Sequence, residues 1–213
     1  MAVIRATFWD HGGVISSSPF EAFAAFEQAN GLPSGIIRRV NATNPHANAW
    51  AGLERGEATI DEFCVRFQAE AHALGAQLDP RAVLACLSGR IRPEMVEAVR
   101  RCRERLLTGM ITNNFTIPGR TASPSGVHEL FDVVVESRTA GVRKPDPAIY
   151  LLACERLGVE PAESVFLDDL GINLKPAREL GMTTIKVTDP AAALRELEEV
   201  VGFDLGGGGP AAS

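Results

Sequence analysis

Apolar and polar positions alternate along this chain in two distinct rhythms, short apolar runs and longer stretches with helical spacing. Residues 2–9 (AVIRATFW) form the first apolar run, broken by Asp10-His11-Gly12-Gly13, which predicts a buried strand ending in a loop. Ser17, Ser18 and Pro19 then make a helix start, and Phe20, Phe23, Ala24 and Phe26 carry it until Gly31. Helical spacing continues over 34–40, 48–55, 59–74 and 80–87, with Thr59 and Glu62 placed as a capping box. No strand is predicted in this stretch. Beyond it the rhythm alternates, with helices over 93–105, 127–131, 147–157, 173–180 and 191–201 and strands over 106–112, 133–136, 164–167 and 183–187. Such alternation implies right-handed crossovers and a parallel sheet covered on both faces. The expected architecture is therefore α/β, with a Rossmann-like core built from 1–16 and 91–205. A helical insert spans 17–90, and 206–213 (GGGGPAAS) is expected to be a flexible tail.

Composition narrows the function classes. With 213 residues, 46% hydrophobic and 23% charged, the chain suits one α/β domain plus a small insert. A net charge of −6 argues against a nucleic-acid surface, which needs clustered Lys and Arg, but leaves small anions open. No apolar run reaches membrane-spanning length and no basic leader precedes one, so a cytoplasmic protein without membrane contact is expected. Cys64, Cys86, Cys102 and Cys154 lack any metal-ligand or disulfide spacing and are expected to be buried thiols.

Candidate chemistry follows from the strand ends, because ligands of open parallel sheets bind beyond the C-terminal ends of the strands. Those positions hold Asp10, then Thr112-Asn113-Asn114, then Lys144 in a later loop, then Asp168-Asp169. Taken singly, each has a bland use: Asp10 as a turn residue, Asp168-Asp169 as a helix cap, Lys144 as a solvated loop charge. Taken together they suit phosphoryl transfer. Carboxylates from different strands can hold Mg²⁺, one of them can attack phosphorus, and a hydroxyl with a lysine can stabilise the phosphoryl oxygens.

The segments DHGGV from Asp10, ITNN from Ile111, RKPDPAIY from Arg143 and VFLDDLGINLKPARELGM from Val165 resemble the four motifs of the haloacid dehalogenase superfamily. The helical insert resembles its first cap type. Within the superfamily the likeness is to the N-terminal phosphatase domain of soluble epoxide hydrolase and its free-standing bacterial relatives. The resemblance implies a Mg²⁺-dependent phosphate monoesterase working through an aspartyl-phosphate. By position it implies Asp10 as nucleophile and metal ligand, the Gly12 carbonyl and Asp169 as further metal ligands, and Thr112, Asn113 and Lys144 around the phosphate. Asp168 and Asn173 then orient metal-bound waters. One departure stands out: the family's phosphatases usually carry a second Asp two residues after the nucleophile as general acid/base, and here that residue is Gly12. His11 beside it is expected to pack or face the cap.

Two rivals follow from the same motifs. A C-halide hydrolase shares the fold and the nucleophile, but would replace the Asp168-Asp169 carboxylates. A ligand-binding or regulatory protein would explain Gly12, yet would need no nucleophile. For the substrate, a small phosphorylated organic molecule is expected, met by Phe20, His46, Trp50 and the 52–57 turn, whose Arg55 and Glu57 suggest polar contacts. The oligomeric expectation is a monomer or homodimer.

Overall fold

The computed structural model describes residues 3–87, 89–114 and 126–206. The chain runs β1 (Ala6–Trp9), α1 (Pro19–Ala29), α2 (Ile36–Ala42), α3 (Ala49–Glu54), α4 (Ile60–Ala73), α5 (Pro80–Ala85) and α6 (Pro93–Arg103). It continues through β2 (Leu107–Thr112), β3 (Val133–Glu136), α7 (Ser137–Ala140), α8 (Pro147–Leu157), β4 (Ser164–Asp168), α9 (Gly171–Glu179), β5 (Thr183–Lys186) and α10 (Pro190–Val201). Short 3₁₀ turns occupy His128–Leu130 and Pro161–Glu163.

All five strands are parallel, in the order β3-β2-β1-β4-β5. Trp9 pairs with Met110 on one side and Leu167 on the other, while Thr112 pairs with Glu136 and Asp168 with Lys186. The C-terminal ends of β2 and β3 lie two residues beyond Trp9 and those of β4 and β5 one residue beyond it, so the residues that follow the strands enter the same edge. Side chains of a strand alternate between faces, so β1 serves two cores at once. Trp9 packs with Met95, Val99, Met110, Leu167, Leu194 and other residues under α6 and α10. Ala6 and Phe8 pack with Ile149, Tyr150, Ala153 and Leu174 under α8 and α9.

A third cluster belongs to the helices between β1 and α6. Phe63, Phe67 and Ala71, four residues apart on α4, meet Phe23, Ile37, Val40, Trp50 and Val83. Thr59 and Glu62 form the expected capping box, with Glu62 N donating to Thr59 Oγ1 at 3.2 Å and Thr59 N to Glu62 Oε2 at 2.8 Å. Buried Glu27 accepts from Gly35 N and Ile37 N at the start of α2. The chain leaves and re-enters the sheet region through adjacent linkers: Ser16 bridges Ile91, and Ser17 N donates to Arg90 O at 2.8 Å.

Several boundaries differ from the sequence reading. The first strand begins at Ala6 rather than residue 2, because its parallel partners begin only at Leu107 and Ser164 opposite it. The α6 helix stops at Arg103, two residues early, where Leu106 N turns back to Cys102 O. The four-residue α7 was not expected. Ser18 sits at the N-cap of α1 without capping it, since its hydroxyl is drawn to Asp169 instead. Of the four thiols Cys102 and Cys154 are buried, whereas Cys64 and Cys86 are half-buried at the rim of the helical cluster, correcting the expectation for those two. Apart from Gly206, the 206–213 tail lies outside the described residues. Among the described residues, no helix is long and apolar enough to cross a membrane.

Candidate active site

At the C-terminal edge of β1 the backbone of Asp10 stays in the sheet, its N–H donating to Leu167 O at 2.9 Å, and its side chain projects beyond the edge. Lys144 arrives from the loop after α7 with a side chain only 1% exposed, and its Nζ lies 2.8 Å from Asp10 Oδ1 and 2.7 Å from Asp168 Oδ2. A buried ammonium requires such compensation. Burial alone would lower the lysine's pKa, but Asp10 and Asp168 outweigh it and hold the value above the ordinary one, so the side chain stays charged.

The carboxylates divide into two kinds. Asp168 is saturated: Oδ1 accepts from Leu170 N at 2.8 Å, Oδ2 from Lys144, and Asn173 Nδ2 reaches both oxygens at 3.1 and 3.0 Å. Asn173 is fixed in turn, its carbonyl accepting from the buried Tyr150 hydroxyl at 2.7 Å. Asp10 and Asp169 keep oxygens for other use; Asp169 accepts from Ser18 Oγ at 3.1 Å, and Asp10 Oδ1 accepts from His11 N at 2.7 Å. Oxygen atoms of Asp10, Asp168 and Asp169 lie within 4.8 Å of one another. Burial pushes Asp168 and Asp169 up to about 6, with a neighbouring carboxylate adding to the rise in each. Burial also raises Asp10, and Lys144 offsets this only in part. Such a crowd of acidic oxygens is unfavourable without a further positive charge.

The donor set fits a hard divalent cation. Asp10 and Asp169, with Asp168 beside them, supply only oxygen, matching the preference of Mg²⁺, and the loop is shaped to let Asp169 in. Gly13 has φ +78°, and a Cβ there would collide with the Asp169 carboxylate. Gly12 lies half-buried in the same loop, bridged to Ser16.

Thr112 ends β2 and is 5% exposed. Asn113 and the Lys144 backbone form a reciprocal pair, Asn113 Nδ2 donating to Lys144 O at 3.0 Å and Lys144 N to Asn113 Oδ1 at 2.8 Å. The structure therefore brings Asp10, Gly12, Thr112, Asn113, Lys144, Asp168, Asp169 and Asn173 to one edge.

The remaining candidates fare differently. Trp50 is 6% exposed, edge-on to Phe63 with ring centroids 4.9 Å apart, so it is a core residue of the helical segment; its indole is spent on packing. Phe20 is half-buried, with the Arg38 guanidinium 5.1 Å from its ring centre. His46 is exposed, and its carbonyl accepts from Arg55. Arg55 grips Glu57 with two hydrogen bonds of 2.8 and 2.7 Å, so these charges answer each other and do not by themselves mark a polar substrate. The ring of His11 stands edge-on to that of His128, centroids 6.5 Å apart, and burial lowers its pKa to about 4, with His128 and Lys144 contributing. Sequence reasoning missed Ser18 on Asp169, and it missed Glu54, whose carboxylate meets Arg143 at 2.6 Å beside Asn113.

Comparison with known proteins shows the family of the chain. The sequence model for haloacid dehalogenase-like hydrolases matches residues 4–181. The chain is 36% identical over 207 residues to acyl-CoA dehydrogenase family member 10 of Mus musculus, covering 94% of this chain and 19% of that protein. It is 32% identical over 216 residues to bifunctional epoxide hydrolase 2 of the same species, covering 93% and 39%. The chain thus spans well under half of these two relatives. A phosphatase of Mycobacterium tuberculosis is 30% identical over 229 residues, covering 97% and 99%. In fold, the chain is similar to a haloacid dehalogenase family enzyme of Bacteroides thetaiotaomicron solved with magnesium and inorganic phosphate, with TM-score 0.58 and 22% identity over 86% of this chain and 93% of that one.

Proposed function

Since the chain belongs to the haloacid dehalogenase-like hydrolases, we propose that it hydrolyses phosphate monoesters of small organic molecules, with Asp10 as nucleophile and Mg²⁺ as its cation. One observation carries the reading: Asp10 is joined through buried Lys144 to Asp168, with Asp169 beside them, at the end of the central strand. Asp10, Asp169 and the Gly12 carbonyl would hold the cation; when bound it neutralises charge on the phosphoryl oxygens and on the acidic cluster. Asp168 and Asn173 orient its surroundings.

The chain's own residues supply the remaining steps. The Asp10 carboxylate attacks phosphorus, the ester P–O bond breaks, and the alkoxide leaves with a proton from water, because Gly12 offers none. Water then attacks the aspartyl-phosphate, releasing inorganic phosphate and restoring the Asp10 carboxylate. Lys144 and Thr112, with Asn113 steadying the lysine's backbone, meet the charge that develops on the phosphoryl oxygens. Residues 17–90 serve as a cap over this core of 1–16 and 91–205, shielding the reaction from bulk water. Three carboxylates disfavour the C-halide alternative, and a nucleophile held by a buried lysine disfavours a pure binding role.

The test is turnover of para-nitrophenyl phosphate and a panel of alkyl phosphates with Mg²⁺ and with EDTA, beside Asp10→Asn. Metal-dependent release of phosphate, lost by about 10³-fold or more in the variant, is expected. Absence of metal-dependent turnover on every ester would sink the reading.

A further inference from the structure

Besides Ser18 on Asp169, the helical segment meets the sheet edge through a largely buried cluster of polar groups next to the site. Glu54, the last residue of α3, lies against Arg143, Nε to Oε2 at 2.6 Å, and the two side chains are 14% and 19% exposed. Arg143 also donates from NH1 to Pro45 O at 2.7 Å, so one guanidinium grips the segment at two points. The Glu54 carbonyl accepts from the Ser137 hydroxyl at 2.6 Å, and Ser137 is fully buried. Ser137 Oγ in turn accepts from Asn114 N at 3.1 Å. Close approach is built in at Gly56, where φ is +73° and a Cβ would lie 3.0 Å from Arg138 Cγ.

Both partners of the ion pair adjoin the proposed phosphate-holding groups. Arg143 adjoins Lys144 in sequence. Asn113, which clasps the Lys144 backbone, also reaches the Glu54 carboxylate. The amides of Asn114 and Lys144 are held by side chains of this same cluster, not by strand neighbours.

We propose that Glu54 and Arg143 are positioning residues: their ion pair latches the helical segment onto the 113–114 and 143–144 loops and so fixes Lys144 against Asp10. Neither touches the reacting atoms. Placing the latch on the residue before the lysine makes seating of the helices and alignment of the ammonium one event. Removing one charge leaves the other buried and uncompensated, which loosens the loop as well as the contact.

Amide hydrogen exchange tests this without reference to catalysis. In Glu54→Gln, which keeps shape and loses charge, exchange at Asn114 and Lys144 is expected to rise about tenfold or more while β1 and β4 keep their protection. Arg143→Lys keeps the charge but cannot grip at two points, and should fall between. The double variant Glu54→Gln with Arg143→Met should be no looser than either single one, as expected of partners in one interaction. The kinetic arm rests on the phosphatase reading: kcat for para-nitrophenyl phosphate should fall by roughly 10- to 100-fold with KM nearly unchanged. Unchanged exchange at Asn114 and Lys144, or a rise spread equally through β1 and β4, would overturn the proposal. A wild-type protein inert on all esters would defeat the phosphatase reading and leave the exchange result to decide this one.

Discussion

Gly12 stands in a loop that has room for a side chain. A Cβ there would meet nothing nearer than Pro19 Cδ at 4.0 Å, whereas one at neighbouring Gly13 would strike Asp169. The first glycine is therefore a chemical choice and the second a steric one. Gly12→Asp restores a proton donor two residues after the nucleophile, and is expected to raise kcat for alkyl phosphates by about 10²-fold or more. Aryl esters, whose leaving groups need no proton, should gain only a few-fold. A plot of kcat against leaving-group pKa distinguishes these outcomes; equal gains across the series, or none, would show that proton donation is not what Gly12 withholds.

Among the elements, α4 carries the aromatic centre of the helical segment. Phe63 and Phe67 stack with centroids 5.1 Å apart and both meet Trp50. Phe63→Ala should cost about 3–5 kcal/mol, read from denaturant melts, and a loss below about 1 kcal/mol would contradict this packing. Periodicity found this helix and its box because Phe63, Phe67 and Ala71 repeat at helical spacing and Thr59 precedes them. It found each strand of the described residues because short runs rich in aliphatic residues stand between the helical stretches. It passed over α7, whose Ser-Arg-Thr-Ala has no apolar repeat, and it read Trp50 as a substrate contact because spacing does not say which way a ring points. The strand-end residues Asp10, Thr112, Lys144 and Asp168-Asp169 were legible because topology alone delivers them to one edge. Glu54 was not, since a glutamate in a polar turn looks like a solvated charge until its partner is brought in from a distant loop.

For the whole molecule, the acidic cluster ties stability to pH and to cations. Asp168 and Asp169 titrate at about 6 in the folded chain against an ordinary 3.8, so the folded chain holds protons that the unfolded chain has released. Stability contributed by these groups is present below pH 4 and is lost as pH rises toward and through 6. A divalent cation binds the deprotonated form and reverses the loss. Saturating Mg²⁺ is therefore expected to raise Tm more at pH 7 than at pH 5; equal shifts, or none at either pH, would refute this linkage. The chain's two tryptophans also divide between its interiors. Trp9 is buried in the sheet with its indole N–H on Thr7, and Trp50 is packed among the phenylalanines of the helical segment. Replacing either indole by phenylalanine leaves a chain whose remaining emission reports one interior only. Paired fluorescence melts of those two chains would show whether the helices and the sheet come apart together or in succession.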